Sequence, residues 1–219
     1  MTDAVANADL MDRLYRRQRH VYDFTRKYYL LGRDRLITRL SPPAGSRVLE
    51  IGCGTARNLI VAARAYPGVQ FFGIDVSHEM LATARRIVER DGMAGDIRLA
   101  QADATTFDPA LLFGVPGFSR IFVSYSLSMM PGWSTVLARA LGWLAPGGEL
   151  HVVDFGGQEG LPAWFRVGLR HWLALFHVTP CDQLERELTL LGLRAGALTA
   201  IERPFRGYAQ YAVCRRLSA

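Results

Sequence analysis

The residues best suited to bind a ligand are two glycines and two acids, each close behind a predicted strand. Gly52 and Gly54 directly follow an apolar run, and a helical pattern begins after them. Asp75 and Asp103 each end a later apolar run. Glycine lets the backbone approach a ligand closely, and a helix amino terminus favours negative charge. A carboxylate at Asp75 can accept both hydroxyls of a ribose, and one at Asp103 can accept from an adenine amino group.

Alternating strand and helix patterns predict the sheet that positions these residues. The predicted strands cover residues 47–51, 69–74, 97–101, 121–126 and 149–155, and the helices between them cover 56–65, 77–90 and 135–144. Near-continuous apolar strands joined by helices indicate a parallel sheet covered on both faces. Ligands of such a sheet lie outside the carboxyl ends of its strands, which is where the glycines and both acids fall.

The rest of the chain predicts additions to that sheet. Two helices are expected over residues 162–176 and 180–191, followed by an antiparallel strand pair over 197–202 and 208–215. The predicted fold class is therefore α/β, with a three-layer, doubly wound, mostly parallel sheet of seven strands that ends in an antiparallel pair.

Length and composition bound the class of protein. A chain of 219 residues that is 50% hydrophobic can bury a core as one domain. We expect a single domain over residues 1–219, with an N-terminal helical segment at 1–40, a ligand-binding core at 46–155 and substrate-side helices and strands at 156–219. The three cysteines lie far apart without a CxxC, so neither a disulfide framework nor a metal site is expected. The acidic, non-apolar start and the lack of a long apolar run predict neither a signal peptide nor a membrane span.

Two kinds of nucleotide site share a glycine loop after the first strand. The dinucleotide pattern GxGxxG needs a third glycine where Arg57 stands, which disfavours nicotinamide and flavin dinucleotides. The pattern Glu50-x-Gly52-x-Gly54, followed by acids on the second and third strands, resembles the class I S-adenosylmethionine methyltransferases. Ala56 stands where many members have a further glycine. The resemblance covers residues 46–155 and implies their fold and S-adenosylmethionine as cofactor. The cofactor-binding residues that it implies are Glu50, Gly52, Cys53, Gly54, Asp75, Val76, Asp103 and Ala104.

The resemblance implies transfer of a methyl group from a sulfonium to a nucleophile in line behind it. Because the sulfonium is a good leaving group, the protein mainly has to align donor and acceptor, which can lower a barrier by roughly 7–11 kcal/mol. For an amine acceptor, the aromatic faces of Tyr22, Tyr28 and Tyr125 can hold the cation and Asp154 can receive its proton. In the alternative interpretation these tyrosines are packing residues and Asp154 caps a following turn.

The N-terminal region is basic and amphipathic. Between Arg13 and Arg39 lie nine basic and two acidic residues, a pattern typical of an interfacial helix on an anionic surface. Residues 12–35, together with 161–166 and 176–180, are similar to the bacterial betaine-lipid N-methyltransferases. Those enzymes methylate diacylglyceryl-homoserine three times to give its trimethylated betaine lipid.

This second resemblance implies a lipid substrate at an anionic membrane surface. It implies a cytoplasmic enzyme bound peripherally to the inner face of the membrane. Tyr29 and His177 are expected on the substrate side. Arg33, Arg166 and Arg170 are candidates for bidentate binding of the homoserine carboxylate, and Arg33 is the candidate for the cofactor's own carboxylate.

Other functions remain open at this point. A methyltransferase for a quinone precursor, a soluble metabolite or RNA fits the same core, although we expect no nucleic acid partner. A non-catalytic membrane-surface module that keeps a nucleoside pocket is the third possibility. The oligomeric state does not follow from the sequence.

Overall fold

The computed structural model describes residues 30–176 and 178–218. Most of the predicted N-terminal segment lies outside the described residues. Four predicted site residues also lie outside them, namely Tyr22, Tyr28, Tyr29 and His177.

The described residues form alternating strands and helices along the core. The strands are β1 (Arg47–Ile51), β2 (Gln70–Asp75), β3 (Ile97–Gln101), β4 (Phe118–Ser124), β5 (Leu144–Phe155), β6 (Ala197–Glu202) and β7 (Ala209–Arg216). The helices are α1 (Arg33–Leu40), α2 (Arg57–Ala65), α3 (His78–Arg90), α4 (Pro109–Phe113), α5 (Trp133–Gly142), α6 (Ala163–Ala174) and α7 (Leu184–Ala195), with a 3₁₀ turn at Leu127–Met129.

The strands form one sheet in the order β3-β2-β1-β4-β5-β7-β6. Neighbours from β3 to β5 pair in parallel, and β7 pairs antiparallel with both β5 and β6. The chain runs outward from β1 to β3 and then returns to the other side of β1 as β4. The loops after β1 and β4 therefore diverge and leave a crevice at the carboxyl ends of these strands.

Helices cover both faces of the sheet. Leu36 of α1, Leu59 of α2 and Leu81 of α3 belong to one buried cluster. Leu137 of α5 and Leu188 of α7 belong to a second cluster on the other face. The three-layer α/β sheet with a C-terminal antiparallel pair confirms the predicted fold class.

Element boundaries depart from the prediction where a local turn intervenes. The hydroxyl of Ser77 caps α3, as the sequence predicts. The helix predicted from residue 180 instead begins at Leu184, because the N–H of Asp182 bonds back to the carbonyl of Pro180 in a turn. The short helix α4 and the 3₁₀ turn are not predicted, since neither is long enough to show a period.

A buried ionic network lies toward the amino-terminal ends of β4 and β5. The carboxylate of Glu149 lies 2.6 Å from Arg215 and 3.3 Å from Arg120. His151 Nε2 lies 3.0 Å from the same carboxylate, and its Nδ1 lies 2.7 Å from the hydroxyl of Tyr211. The hydrogen bond from His151 and the two guanidinium groups lower the pKa of Glu149 to about 2, while burial lowers the pKa of His151. These contacts commit His151 to a structural role away from the crevice.

Candidate active site

The loop between β1 and α2 forms a narrow backbone cradle, residues 52–56. Gly52, Gly54 and Ala56 all have left-handed φ angles, of 72°, 53° and 61°. A Cβ on Gly52 would lie 2.5 Å from the Cβ of Ser126 and 3.0 Å from Cε of Met130. The loop after β4 therefore packs directly against the cradle, and a side chain at Gly52 is excluded by both space and conformation.

A close approach at Gly73 of β2 also holds α2 against the sheet. A Cβ on Gly73, in the middle of β2, would lie 2.6 Å from Leu59 of α2 and 2.9 Å from Sγ of Cys53. Gly73 is not among the residues predicted from the sequence, although a lone glycine inside a strand is a recognised signal of close backbone approach. Gly73 lets α2 and the cradle sit deep at the end of β1, with Arg57 as the first residue of α2.

The amino terminus of α2 points out of the cradle without a side-chain cap. Ala56, its N-cap residue, provides no side-chain hydrogen bond. The first N–H groups of a helix have no partner within the helix, so an uncapped start offers backbone donors to a ligand.

Asp75 links the cradle to the start of α3. Its Oδ2 accepts from the N–H of Gly54 at 2.8 Å, and its Oδ1 accepts from the N–H of Ser77 at 2.9 Å. An ionised carboxylate accepts several hydrogen bonds at once, so these contacts are compatible with acceptance from a ribose hydroxyl. The next residue, Val76, is half-buried beside it.

Asp103 stands at the end of β3 with one oxygen committed. Its Oδ1 accepts from the backbone N–H of Thr105 at 2.8 Å and from the Thr105 hydroxyl at 2.7 Å. These bonds orient the carboxylate on the edge of the crevice next to the buried Ala104. The geometry suits acceptance of an amino group by the second oxygen.

Glu50, two residues before the cradle, and Cys53, within it, are both buried. Glu50 Oε1 accepts from Nδ2 of Asn58 at 2.7 Å, which ties β1 to α2. Burial and the nearby carboxylates of Asp75 and Glu50 raise the pKa of the Cys53 thiol well above its usual range. The thiol is therefore not a nucleophile at neutral pH, and Cys53 shapes the cradle.

The end of β4 holds a buried hydroxyl that the protein does not satisfy. Within the described residues, Ser124 Oγ is buried and has no hydrogen-bond partner. Such groups are rare in native proteins, and one beside a crevice fits a site that expects a polar ligand. Together with the cradle and the two carboxylates, it fits an adenosyl group carrying a polar tail.

Tyr125 adopts a strained conformation directly after β4. Its φ is 53°, and its side chain is only 2% exposed. Its hydroxyl donates to the carbonyl of Leu31, and its ring meets Phe155 edge-on at 4.8 Å. Tyr125 thereby fixes the chain entering α1, whose first residue is Arg33, over the end of β4. Burial raises the pKa of this phenol well above its usual range.

Asp154 is fully buried near the end of β5. Its Oδ2 accepts from the N–H of Ser128 at 3.0 Å, and its Oδ1 accepts from the N–H of Phe155 at 2.7 Å. It therefore accepts from the backbone of the 3₁₀ turn, which precedes it in the chain, whereas the alternative interpretation places it as the cap of a following turn. Burial raises the pKa of Asp154 to about 6.

The two predicted substrate arginines on α6 differ in their contacts. Arg170 forms a bidentate pair with Asp182 at 2.7 and 2.9 Å, so its guanidinium joins α6 to the turn before α7. Arg166 is exposed and forms no ion pair within the described residues. Of the two, Arg166 keeps its charge available to a substrate.

A cavity of about 540 Å³ opens beside the loop after β4. Residues 128–135, Thr179, Pro180 and Glu187 line it. Met130 lies in its wall and also touches the space above Gly52. The cavity is therefore one side chain away from the cradle.

Comparison with known proteins agrees with this geometry. Residues 48–148 match the family described as Methyltransferase domain. Residues 48–148 of the chain therefore form a methyltransferase domain. S-adenosylmethionine is the cofactor of this domain, and the site residues described above fit it.

The curated relatives of this methyltransferase domain act on different substrates. The chain is 32% identical over 117 residues to a trans-aconitate 2-methyltransferase of Acidovorax sp. (strain JS42), covering 53% of this chain and 41% of that protein. It is 33% identical over 118 residues to a phosphatidylethanolamine N-methyltransferase of Cereibacter sphaeroides, covering 54% of this chain and 55% of that protein. The chain thus spans about half the length of these relatives.

Solved structures show the same fold. The phosphoethanolamine N-methyltransferase 2 of Haemonchus contortus, in complex with S-adenosyl-L-methionine, superposes with a TM-score of 0.74 at 15% identity. That match covers 97% of this chain and 60% of the other. At this identity it supports the fold of the methyltransferase and not its substrate.

The described residues contain neither a membrane-spanning helix nor a metal-binding group. No helix in residues 30–176 and 178–218 is long and apolar enough to cross a membrane. The same part of the chain contains no group of His, Cys, Asp and Glu side chains that could hold a metal ion.

Proposed function

We propose that the protein is an S-adenosylmethionine-dependent N-methyltransferase that acts on the amine of a lipid head group at an anionic membrane surface. The proposed substrate is diacylglyceryl-homoserine, and the product is its trimethylated betaine lipid. The proposal places the protein peripherally on the inner face of the membrane.

The observation that carries this proposal is the exposed apolar stripe of α6. Trp164 is 76% exposed, and Val167 and Leu175 are exposed along the same side of the helix. Arg166 and His171 of the same helix are also exposed. Exposed Trp and aliphatic side chains on a helix that also carries an exposed arginine are typical of a helix that lies in a membrane interface.

The rest of α6 explains why this stripe is unusual. Phe165, Leu169 and Trp172 pack against the core, so the helix already buries one apolar face. Its second apolar side is left to solvent although α6 follows β5 and starts at the crevice. A lipid surface meeting this side would bring head groups to the active site.

The relatives give a second, weaker support. The phosphatidylethanolamine N-methyltransferase among them is named for a lipid amine, and the structural neighbour is named for a phospho-amine. Both names describe those proteins. For this chain they are compatible with an amine acceptor, although other relatives are named for O-methylation or for trans-aconitate.

In the proposed reaction the protein mainly aligns two reactants. S-adenosylmethionine supplies a methyl group on a sulfonium. Gly52, Gly54 and the uncapped start of α2 hold its carboxylate-bearing end close to the backbone, and Asp75 and Asp103 orient its adenosine. The exposed Arg166 attracts the carboxylate of the zwitterionic head group. Alignment of this kind accounts for roughly 7–11 kcal/mol of barrier.

Methyl transfer from labelled cofactor tests the acceptor. The purified protein is offered vesicles containing diacylglyceryl-homoserine, a soluble amine such as homoserine, and RNA. We expect label in the organic-phase lipid alone. Label that appears only in RNA or only in the aqueous amine overturns the lipid assignment while leaving the methyltransferase assignment intact.

The role of α6 is tested with a matched pair of surface variants. Trp164→Asp should weaken sedimentation with phosphatidylglycerol vesicles about tenfold, equivalent to about 1.4 kcal/mol. Leu193→Asp on α7 is the control, because Leu193 is 73% exposed but lies outside the stripe. Equal vesicle binding by the two variants contradicts the assignment of this surface.

A further inference from the structure

The cavity beside the loop after β4 differs in charge from the chain as a whole. The chain has 26 basic and 20 acidic residues. Among the described residues that line the cavity, however, Glu187 of α7 is the one charged side chain, and no arginine or lysine joins it. A cleft whose walls carry one sign of charge concentrates ligands of the opposite sign.

A neighbouring helix holds the carboxylate of Glu187 in place. Its Oε2 accepts from the hydroxyl of Ser134, in the first turn of α5, at 3.0 Å. Glu185, on the same helix as Glu187, pairs with Arg203 at 2.6 Å, whereas Glu187 forms no ion pair within the described residues. Glu187 is half-buried. A carboxylate accepts several hydrogen bonds, so the bond from Ser134 leaves capacity for a ligand.

The start of α5 also borders the cavity and acts in the opposite direction. Gly132, its N-cap residue, provides no side-chain hydrogen bond, and the first turn of a helix favours negative charge. A helix terminus carries about half an elementary charge, which is less than the full charge of a carboxylate. With Glu187 in its wall, the cavity therefore keeps a negative character.

The uncharged walls suit a cation that carries alkyl groups. Met129, Met130 and Pro180 provide apolar surface, and methionine adapts to irregular shapes. Trp133 adds an aromatic ring, the side chain that attracts organic cations most strongly. A volume of about 540 Å³ is within the range of small-molecule sites. A substituted ammonium combines the charge and the apolar surface that these walls complement.

We propose that this cavity binds the substituted ammonium of the acceptor head group, with Glu187 as the residue that selects a cation. The inference rests on the proposed N-methyltransferase function and deepens it by assigning the acceptor subsite. Met130 lies in the wall of the cavity and beside the space above Gly52. An ammonium held here is therefore one side chain away from the cofactor cradle.

The chain that follows α6 forms one wall of this cation site. Thr179 and Pro180 line the cavity, and the N–H of Thr179 donates to the carbonyl of Ser128 at 2.9 Å. The cavity thus adjoins the segment that connects to the exposed stripe of α6. In this arrangement Arg166 meets the carboxylate of the zwitterionic head group, and Glu187 meets its ammonium.

Binding of a small probe tests the cation site without catalysis. Tetramethylammonium carries a charge and methyl groups, and tert-butanol has a similar size without the charge. Titration of the intact protein, followed by the NMR signals of each probe, should show at least tenfold tighter binding of tetramethylammonium. Glu187→Gln keeps the size of the side chain and removes its charge, so it should weaken tetramethylammonium binding about tenfold and leave tert-butanol binding unchanged.

A second carboxylate on the same helix provides the matched control. Glu185 is exposed and does not line the cavity, so Glu185→Gln should bind both probes as the native protein does. With a lipid amine as acceptor, Glu187→Gln should raise KM at least tenfold and leave kcat unchanged, because it removes binding and not alignment. Its affinity for S-adenosylmethionine, measured by calorimetry, should also be unchanged.

The outcomes separate this inference from the proposed function. Equal binding of the two probes by the native protein, or native affinity for tetramethylammonium in Glu187→Gln, overturns the cation site. Transfer to the lipid amine with a normal KM in Glu187→Gln overturns the assignment of the cavity to the acceptor. Probe binding that depends on Glu187, without transfer to any amine by the native protein, overturns the proposed function instead.

Discussion

The two ends of the sheet are built on opposite principles. At the amino-terminal ends of β4 and β5, the buried Glu149 has partners on three sides, and His151 satisfies both of its ring nitrogens. At the carboxyl ends of the strands, α2 begins without a cap and Ser124 holds a buried, unsatisfied hydroxyl within the described residues. The first end stabilises the fold by itself. The second leaves the uncapped start of α2 with backbone N–H groups that a ligand can bind.

The largest effect is expected at the satisfied end. Glu149→Gln should lower the free energy of unfolding by about 3–5 kcal/mol, because it leaves Arg120 buried without its counter-charge. The affinity for S-adenosylmethionine should not change in protein that remains folded. Denaturant titration and calorimetry measure the two quantities. Weaker binding of S-adenosylmethionine without a loss of unfolding free energy would mean that the two ends of the sheet are not independent.

The same carboxylate should govern acid stability. Since the folded pKa of Glu149 is about 2, below its ordinary value, its stabilisation is complete above pH 4.5 and is lost as pH falls toward 2. Glu149→Gln should flatten this part of the stability profile. An unchanged acid profile in the variant would assign acid unfolding to another group.

The next largest effect is expected in the cradle. Gly52→Ala should weaken S-adenosylmethionine binding about 100-fold, equivalent to about 2.7 kcal/mol, because its Cβ would push Ser126 and the loop away. Gly68→Ala is the matched control, since Gly68 has a similar φ of 79° but nothing within 4 Å of its Cβ. Both variants should lose stability because alanine is strained at a left-handed φ, but only Gly52→Ala should lose affinity for the cofactor. Similar affinities would show that space above Gly52 is not required.

The cofactor side of this site was predictable from the sequence, and the acceptor side was not. Gly52, Gly54, Asp75 and Asp103 each follow a strand at a spacing set by local chemistry, so their positions follow from the strand pattern. The three cysteines are free and buried. Contacts between residues far apart in the sequence could not be predicted from local patterns.

Ser128 illustrates that limit. The bond from its backbone N–H to Asp154 depends on β4 and β5 being neighbours and on a 3₁₀ turn too short to show a period. The ion pair of Arg170 could not be predicted either, because its partner Asp182 lies in a turn where the sequence predicts the start of a helix. The alternative interpretation of Asp154 as a capping group was available from its position at a strand end, but the depth of its burial was not.

A smaller effect is expected at Asp75. Asp75→Asn keeps one acceptor oxygen and loses the charge, so it should weaken S-adenosylmethionine about tenfold through weaker bonds to the ribose. Because Oδ2 also accepts from Gly54, the variant should lower the unfolding free energy by about 1 kcal/mol. Calorimetry and denaturant titration again separate the two effects. Unchanged cofactor affinity would place the ribose elsewhere.

The smallest effect tests whether burial, rather than the choice of partners, sets the contrast between the two ends. Glu202, like Glu149, meets two arginines, Arg35 at 2.5 Å and Arg39 at 2.7 Å. Its side chain is 44% exposed, so water screens the pairs and remains available to any charge left behind. Glu202→Gln should therefore change the free energy of unfolding by less than about 1 kcal/mol, and the difference should shrink in high salt. A loss as large as that of Glu149→Gln would mean that anchoring α1 to β6, and not the dry environment of the ionic network, is what the arginine pairs contribute.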